Sequence, residues 1–336
     1  MKYFLEKISC KENLTLQEAR DAMRIIMEGS ASDTQIAGFL LAMKTKGEHS
    51  DELLGFVEVM REKSLKIFLE DENAIDVCGT GGDGSGTFNI STVVAFVVAG
   101  AEITVAKHGN RSVSGACGSA DVLRALGVNI ELSPERVQHC INTTGIGFLF
   151  APMFHPSMKF AAKVRAELGI KTCFNLLGPL TNPAGVQRQL IGVYNREVQN
   201  KMAKVYEQLP HKKICFVHSD DELDEISLNG ITSVIELNVQ EEVKDYSISA
   251  SSFGIDRTAS NTIAGGDSKY NAEVALSILQ GEKSALRDIV LLNAAMALYI
   301  ADKVTALTDG IVLSRESIDS GRALQKLNIL RKFSTQ

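Results

Sequence analysis

Hydrophobic positions in the first 66 residues repeat every three or four residues, the spacing of amphipathic helices. Residues 15–18 (TLQE) fit a capping box before one such pattern, and Gly29 is placed to end that helix. A second capping box lies at residues 32–35 (SDTQ), and a third pattern runs from residue 51 to about 65. These patterns predict a small all-helical domain whose apolar faces would also suit dimerisation.

From about residue 74 the pattern changes to short apolar runs that alternate with helix-like segments. The apolar runs lie at residues 74–78, 103–107, 128–132, 190–194, 213–218 and 233–237. The helix-like segments between them lie at residues 91–99, 119–126, 197–208 and 271–280. This alternation predicts an α/β domain with a mainly parallel central sheet. Residues 171–185 (KTCFNLLGPLTNPAG) show neither periodicity, and we interpret them as a crossing between domains.

Composition narrows the class of protein. Hydrophobic residues make up 45% of the 336 positions, which is enough for a large core, and the net charge is −6 with scattered basic residues. We therefore expect no nucleic-acid surface and no membrane-binding patch. The longest apolar stretch, residues 93–101, is about half a bilayer span, and charges interrupt any signal-type core near the N-terminus. Six scattered cysteines without a C-x-x-C pair favour reduced thiols and a cytoplasmic location.

A glycine-rich stretch, residues 76–92 (DVCGTGGDGSGTFNIST), lies between a predicted strand and an apolar helix. Glycines let backbone N–H groups approach an anion, and a helix N-terminus favours negative charge. Residues 79–84 match G-x-G-x-x-G, but the second strand ends in Lys107 and His108 instead of an acid, and no lysine follows the glycines as in a P-loop. The stretch predicts a phosphate site that serves neither NAD nor ATP. A purely structural turn is the alternative.

Two further loops place charged side chains at predicted strand ends. Residues 107–111 (KHGNR) offer a cation, an imidazole, an amide and a guanidinium. Residues 218–227 (HSDDELDEIS) follow a later strand, and one or two carboxylates are enough to hold Mg²⁺ on a bound diphosphate. Taken alone, Lys107 and the acidic run are also compatible with solvated loops. No cluster has the ligand spacing of a zinc site.

Eight motifs together resemble those of the anthranilate phosphoribosyltransferases. They are GTGGD (79–83), NIST (89–92), KHGNR (107–111), GSAD (118–121), APMFHP (151–156), VRAELG (164–169), NLLGPLTNP (175–183) and DELDEIS (221–227). They follow the order of the family, and the chain length agrees from end to end. KHGNR differs from the KxS-type loop of the related pyrimidine nucleoside phosphorylases. GACGSAD departs from the bulkier or more polar insertion of many members, which we expect to alter loop mobility without removing a ligand contact.

The resemblance implies a fold and an activity. The fold is of the nucleoside phosphorylase/phosphoribosyltransferase type. A helical domain (residues 1–66 and about 165–190) dimerises and provides the anthranilate side, and an α/β domain (74–164 and 191–336) binds phosphoribosyl pyrophosphate (PRPP) and Mg²⁺. The implied glycosyltransferase moves the 5-phosphoribosyl group of PRPP to the amine of anthranilate, giving N-(5-phosphoribosyl)anthranilate and pyrophosphate in tryptophan biosynthesis. The partners implied are a second copy in a homodimer and a separate anthranilate synthase.

The resemblance also implies the site residues. Those for PRPP are Gly79, Gly82, Asp83, Thr87, Asn89, Ser91, Thr92, Lys107 and Ser119. Two Mg²⁺ ions are implied, with ligands Ser91, Asp224 and Glu225. Those for anthranilate are Gly79, Asn110 and Arg165, with His108, His155 and Gly178 along its approach. For the two histidines, a packed or hydrogen-bonded ring is an equal alternative.

We expect catalysis by positioning and electrostatics, without an acid–base dyad, because an aromatic amine needs no deprotonation before it attacks. Two other functions stay open at this point. A nucleoside phosphorylase of the same fold would cleave thymidine or uridine with phosphate. A relative without catalytic activity would bind nucleic acid, although the acidic net charge argues against that.

Overall fold

The computed structural model describes residues 1–81, 84–111, 117–255 and 263–336. The chain begins with four helices, α1 (Lys2–Ser9), α2 (Leu16–Met27), α3 (Asp33–Lys46) and α4 (Ser50–Lys63). Both predicted capping boxes form, because the N–H of Glu18 donates to Oγ1 of Thr15 and the N–H of Gln35 donates to Oγ of Ser32. Each N3 side chain accepts the reciprocal bond. The two predicted helix starts are thereby confirmed.

The strands of the described chain form one sheet of seven, in the order β3-β2-β1-β4-β5-β6-β7. Their bounds are β1 (Ile75–Gly79), β2 (Val105–Gly109), β3 (Ile146–Phe150), β4 (Arg188–Gly192), β5 (Lys213–Ser219), β6 (Thr232–Asn238) and β7 (Lys244–Ile248). The first five strands in this order are parallel, β6 pairs with β5 in antiparallel orientation, and β7 pairs with β6 in antiparallel orientation. The sheet is therefore mainly parallel, as the alternating pattern predicts.

Helices cover both faces of the sheet. Their bounds are α5 (Ile90–Gly100), α6 (Ser119–Ala125), α7 (Pro134–Thr144), α8 (Ala151–Phe154), α9 (Lys159–Leu168), α10 (Cys173–Leu177), α11 (Arg196–Tyr206), α12 (Ser268–Leu279), α13 (Ala285–Ile300), α14 (Leu307–Asp319) and α15 (Arg322–Thr335). Along β5, Cys215 and Val217 belong to one buried cluster and Ile214 and Phe216 to another, because successive side chains of a strand point to opposite faces. None of the helices described is long and apolar enough to span a bilayer.

One predicted strand is wrong and two strands were missed. Residues 128–132 are an irregular connection in which Val128, Ile130 and Leu132 are buried, so every second side chain faces the core although no neighbouring strand pairs with the backbone. That burial produces the same alternation as a strand. The missed strands are β3, whose five residues are all buried and show no alternation, and β7, which is partly exposed.

Helices α9 and α10 pack with the N-terminal helices. Val164 of α9 and Phe174 of α10 lie in the same buried cluster as Phe39 and Phe56. The predicted crossing segment contains α10 and a 3-10 turn, Gly178–Thr181. Helix α9 begins before residue 165 and β4 begins before residue 190, so the predicted limits of the helical insertion do not coincide with element boundaries. The domain division itself stays a prediction.

Candidate active site

A cleft of about 1010 Å³ lies between the sheet and the helical segment α9–α10. Gly79 at the end of β1, Lys107 in β2 and Asp224 in the loop after β5 form part of its wall. Helices α9 and α10 contribute Arg165 and Phe174. Carboxyl ends of parallel strands meet at one edge of a sheet, which is where ligands of open α/β folds bind. The three loops that carry the charged motifs therefore open into a single space.

Most of the predicted site residues line this cleft. These are Gly79, Thr87, Asn89, Lys107, His108, Asn110, Ser119, His155, Arg165, Gly178, Asp224 and Glu225. Ser91 lies behind Lys107, and Thr92 is 1% exposed on α5 with a hydroxyl that has no hydrogen-bond partner among the described residues. Gly82 and Asp83 lie outside the described residues. The ligand that each residue binds stays a prediction.

Lys107 forms part of the floor of the cleft at the end of β2. Its Nζ donates to the carbonyl oxygen of Val77 at 2.6 Å and to Oγ of Ser91 at 3.2 Å, and the residue is only 4% exposed. Burial lowers the pKa of Lys107, and the fully buried carboxylate of Asp76 opposes that shift. A phosphate group entering the cleft would supply the lysine with an anionic partner.

The acidic loop touches the glycine-rich loop directly. The N–H of Gly81 donates to Oδ2 of Asp224 at 3.0 Å. A Cβ atom at Gly79 would lie 2.7 Å from the same carboxylate oxygen, so a side chain at this position would displace Asp224. Glycine at position 79 therefore leaves space for the carboxylate of Asp224 in its present position.

Other carboxylates of the acidic loop hold its fold. Oδ1 of Asp220 accepts from the N–H of Ile231 at 2.8 Å, and Oδ2 of Asp221 accepts from the hydroxyl of Ser227. Asp224 and Glu225 line the cleft. The described residues contain no group of three or more metal-ligating side chains. One or two carboxylates are enough to hold Mg²⁺ when a bound diphosphate supplies further oxygen ligands.

Arg165 of α9 lines the same cleft as the glycine-rich loop. Its guanidinium lies over the ring of Phe174, 5.1 Å from the ring centre. No carboxylate of the described chain pairs with it, and burial lowers its pKa. A half-buried guanidinium of this kind is a binding group for a planar carboxylate, which it can hold through two parallel hydrogen bonds.

His108 and His155 face each other beside the cleft, with ring centres 5.3 Å apart. Nδ1 of His108 lies 3.2 Å from the carbonyl oxygen of Gly178. Burial lowers the pKa of His108 to about 3 and that of His155 to about 4, so both rings are neutral at physiological pH. Nε2 of each ring has no hydrogen-bond partner among the described residues. The pair therefore forms a neutral and largely buried part of the cleft wall.

Comparison with known proteins agrees with this geometry. Residues 2–64 match the helical bundle domain of the glycosyl transferase family, and residues 71–324 match its a/b domain. The anthranilate phosphoribosyltransferase of Methanocorpusculum labreanum is 49% identical over 327 residues, which cover 97% of this chain and 96% of that protein. The chain belongs to the anthranilate phosphoribosyltransferase family.

Solved structures of family members share the fold over nearly the whole chain. The anthranilate phosphoribosyltransferase of Thermus thermophilus superposes with a TM-score of 0.91 at 39% identity and covers 99% of both chains. The Saccharomyces cerevisiae enzyme in complex with PRPP and Mg has a TM-score of 0.91 at 27% identity and covers 99% of this chain and 97% of that one. These likenesses confirm the helical domain and the α/β domain with its mainly parallel sheet.

Several residues of the cleft were not predicted from the sequence. Gly265, Gly266 and Asn271 lie far along the chain but line the cleft beside the loop after β1. The adjacent pair of glycines was a usable signal, because glycine pairs also mark the first loop. Asp76 and Asn182, which are buried and hydrogen-bonded to each other, were also not predicted, although both lie in segments that contain predicted site residues.

Proposed function

We propose that this chain transfers the 5-phosphoribosyl group of PRPP to the amine of anthranilate, giving N-(5-phosphoribosyl)anthranilate and pyrophosphate in tryptophan biosynthesis. One observation carries the proposal. An anion-binding loop with a buried lysine opens into the same cleft as the guanidinium of Arg165, which has no carboxylate partner in the described chain. The loop with the buried lysine suits a phosphorylated donor, and the guanidinium of Arg165 suits an acceptor that bears a carboxylate. The family of the chain supports this activity.

The donor side is assigned to the loops after β1 and β2. PRPP would contact Gly79, Gly82, Asp83, Thr87, Asn89, Ser91, Thr92, Lys107 and Ser119. Two features of the structure support this assignment. Helix α5 begins directly after the glycine-rich loop, and its N-terminus favours a phosphate group. Lys107 adds a cation at the end of the neighbouring strand.

Mg²⁺ is assigned to Asp224, Glu225 and Ser91, with two ions as the proposed number. Carboxylate and hydroxyl oxygens are the donors that this ion prefers, and diphosphate oxygens would complete its coordination. The Saccharomyces cerevisiae relative was solved with PRPP and Mg, which supports Mg²⁺ use here. When bound, the ion would supply positive charge to the departing pyrophosphate.

The acceptor side is assigned to Arg165, Asn110 and Gly79, with His108, His155 and Gly178 along the approach. Arg165 would hold the carboxylate and thereby aim the amine at the ribose. A bond then forms between the amine nitrogen and C1 of the ribose as the bond from C1 to the pyrophosphate oxygen breaks, and the nitrogen then gives up a proton to solvent water. Positioning and charge stabilisation are sufficient for such a reaction, so we assign no acid–base dyad.

The test is the loss of anthranilate fluorescence when purified protein is mixed with anthranilate, PRPP and Mg²⁺. We expect a loss that requires PRPP and stops with EDTA. Folded protein that shows no loss would overturn the proposal. In that case, phosphorolysis of thymidine or uridine would indicate the nucleoside phosphorylase alternative.

Three further predictions concern the surroundings of the enzyme. A homodimer through the helical domain is supported by exposed apolar side chains on adjacent helices, namely Tyr3 on α1, Leu41 on α3 and Phe160 on α9. Light scattering on the purified chain would measure the oligomeric state. The free thiols of all six cysteines agree with a cytoplasmic location. A separate anthranilate synthase as the upstream enzyme rests on the family resemblance alone.

A further inference from the structure

Residues 263–266 lie directly against the loop between β1 and α5. The N–H of Gly265 donates to the carbonyl oxygen of Gly86 at 2.7 Å, and Thr87 and Ala264 form an antiparallel bridge. A Cβ atom at Gly265 would lie 2.5 Å from the carbonyl oxygen of Thr87, a distance that real Cβ atoms essentially never show. The two backbones are therefore in contact, and only glycine permits it.

Asn271 of α12 joins this contact to a third segment. The residue is 2% exposed, and its Oδ1 accepts from the N–H of Gly266 at 2.8 Å. Its Nδ2 donates to Oδ1 of Asn89 at 3.0 Å, and Nδ2 of Asn89 donates to the carbonyl oxygen of Cys117 at 3.2 Å. Two side-chain amides thus connect residues 263–266 with the loops that follow β1 and β2.

This chain of hydrogen bonds has one possible direction. The N–H of Gly266 can only donate and the carbonyl of Cys117 can only accept, so each side chain between them must accept at one end and donate at the other. An asparagine at position 271 does both. Alanine there would leave the N–H of Gly266 and Oδ1 of Asn89 without their buried partners.

We infer that Asn271 is a positioning residue for PRPP, which sets the geometry of residues 84–89 through Asn89 and Gly266. The inference rests on the proposed function, because it concerns the donor side of that reaction. Arg165 and the histidine pair take no part in this chain of bonds. Loss of Asn271 should therefore weaken the use of PRPP and leave the use of anthranilate nearly unchanged.

Steady-state kinetics of Asn271→Ala test this selectivity. We expect the KM for PRPP to rise about tenfold or more, as for a lost buried hydrogen bond that aligns a ligand. The KM for anthranilate, measured at saturating PRPP, should stay within about twofold of the parent. Gly265→Ala, which breaks the same contact from the other side, should raise the KM for PRPP as well. This second variant carries the test if Asn271→Ala fails to fold.

The matched control is Ser284→Ala at the N-cap of α13. It removes a bond from the N–H of Arg287 to Oγ of Ser284, and Ser284 does not line the cleft. We expect a lower melting temperature with an unchanged KM for PRPP. An Asn271→Ala protein that is folded and has a KM for PRPP within about twofold of the parent would overturn the inference.

Calorimetric titration of PRPP with Mg²⁺ separates this inference from the proposed function. A parent chain that binds PRPP without consuming anthranilate would contradict the function alone. The positioning role then predicts a Kd for PRPP about tenfold higher in Asn271→Ala, and equal Kd values would overturn it. A parent chain that does not bind PRPP would overturn both.

Discussion

Asn182 donates from Nδ2 to Oδ2 of Asp76 at 2.8 Å, which ties the segment after α10 to the central strand β1. The other carboxylate oxygen of Asp76 accepts from the N–H of His108 at 3.1 Å. Burial raises the pKa of Asp76, whereas Lys107 and the bond from Asn182 lower it. The buried carboxylate of Asp76 thus links the end of β2 to the segment that carries Gly178. His108 and Gly178 both line the cleft.

Asn182→Ala should remove the hydrogen bond that links the Gly178 segment to Asp76. We expect the free energy of unfolding to fall by about 1–3 kcal/mol, because the substitution removes the shorter of two hydrogen bonds to the buried Oδ2 of Asp76 and leaves only the bond from Nε2 of Gln189 at 3.4 Å. We also expect a higher KM for anthranilate, since the Gly178 side of the cleft loses its tie to the sheet. Chemical denaturation and steady-state kinetics measure the two effects.

Asn328→Ala, at an exposed position of α15, is the control and should change stability by less than about 0.5 kcal/mol. A stability loss with no change in the KM would limit Asn182 to a structural role.

Arg165→Ala should raise the KM for anthranilate about tenfold or more, because a hydrogen-bonded guanidinium contributes about 1.5–3 kcal/mol to carboxylate binding. The KM for PRPP should change little. Lys163→Ala is the control, since Lys163 lies on the same helix and pairs with Asp33 on an exposed surface. An anthranilate KM equal to that of the parent would refute the assignment of Arg165.

Asp224→Asn combined with Glu225→Gln should raise the Mg²⁺ concentration that gives half-maximal rate, together with the KM for PRPP. The amide replacements keep the shape of both side chains but remove the negative charges that attract the ion. Asn at position 224 can still accept from the N–H of Gly81. Glu222→Gln changes an exposed carboxylate of the same loop and should have no effect. An unchanged Mg²⁺ dependence of the double variant would contradict the metal assignment.

The buried histidines should make the protein less stable as the pH falls below about 6.5. The pKa of His155 is about 4 in the folded chain and about 6.5 when unfolded, so the unfolded state takes up the proton first. The contribution of the neutral His155 ring to the free energy of unfolding is fully present above about pH 6.5. It is lost as the pH falls towards 4, by up to about 1.4 kcal/mol per pH unit. Urea denaturation at pH 6.5, 6.0 and 5.5 measures the free energy of unfolding. Its slope against pH is then compared with the limit of about 1.4 kcal/mol per pH unit.

His155→Asn should reduce the slope of unfolding free energy against pH in this range, because the variant has no imidazole to protonate there. His139→Asn, which replaces an exposed ring on α7, is the matched control. Equal slopes in His155→Asn and in the parent would show that the imidazole of His155 is not buried in its neutral form.

Local signals made much of the fold predictable. The capping boxes at Thr15 and Ser32 act over three residues, and the glycine-rich loop stands directly between the strand and the helix that it joins. The charged motifs indicated the loops that line the cleft, because strand ends of a parallel sheet meet at one edge. Periodicity gave a wrong prediction at residues 128–132, where alternate burial occurs without a strand. It gave no signal for β3, because all five of its residues are buried.

The order of residues along the chain was enough to establish the two capped helix starts, the class of the sheet and, through its motifs, the family. Anion binding by the loops stays a prediction from the sequence. Only the folded chain showed which distant side chains support those loops. Asn271 meets Asn89 across 182 positions of the chain, and Asn182 meets Asp76 across 106. No periodicity or local motif encodes such pairs, because a buried amide can find its partner anywhere that the folded backbone leaves a donor or an acceptor unsatisfied.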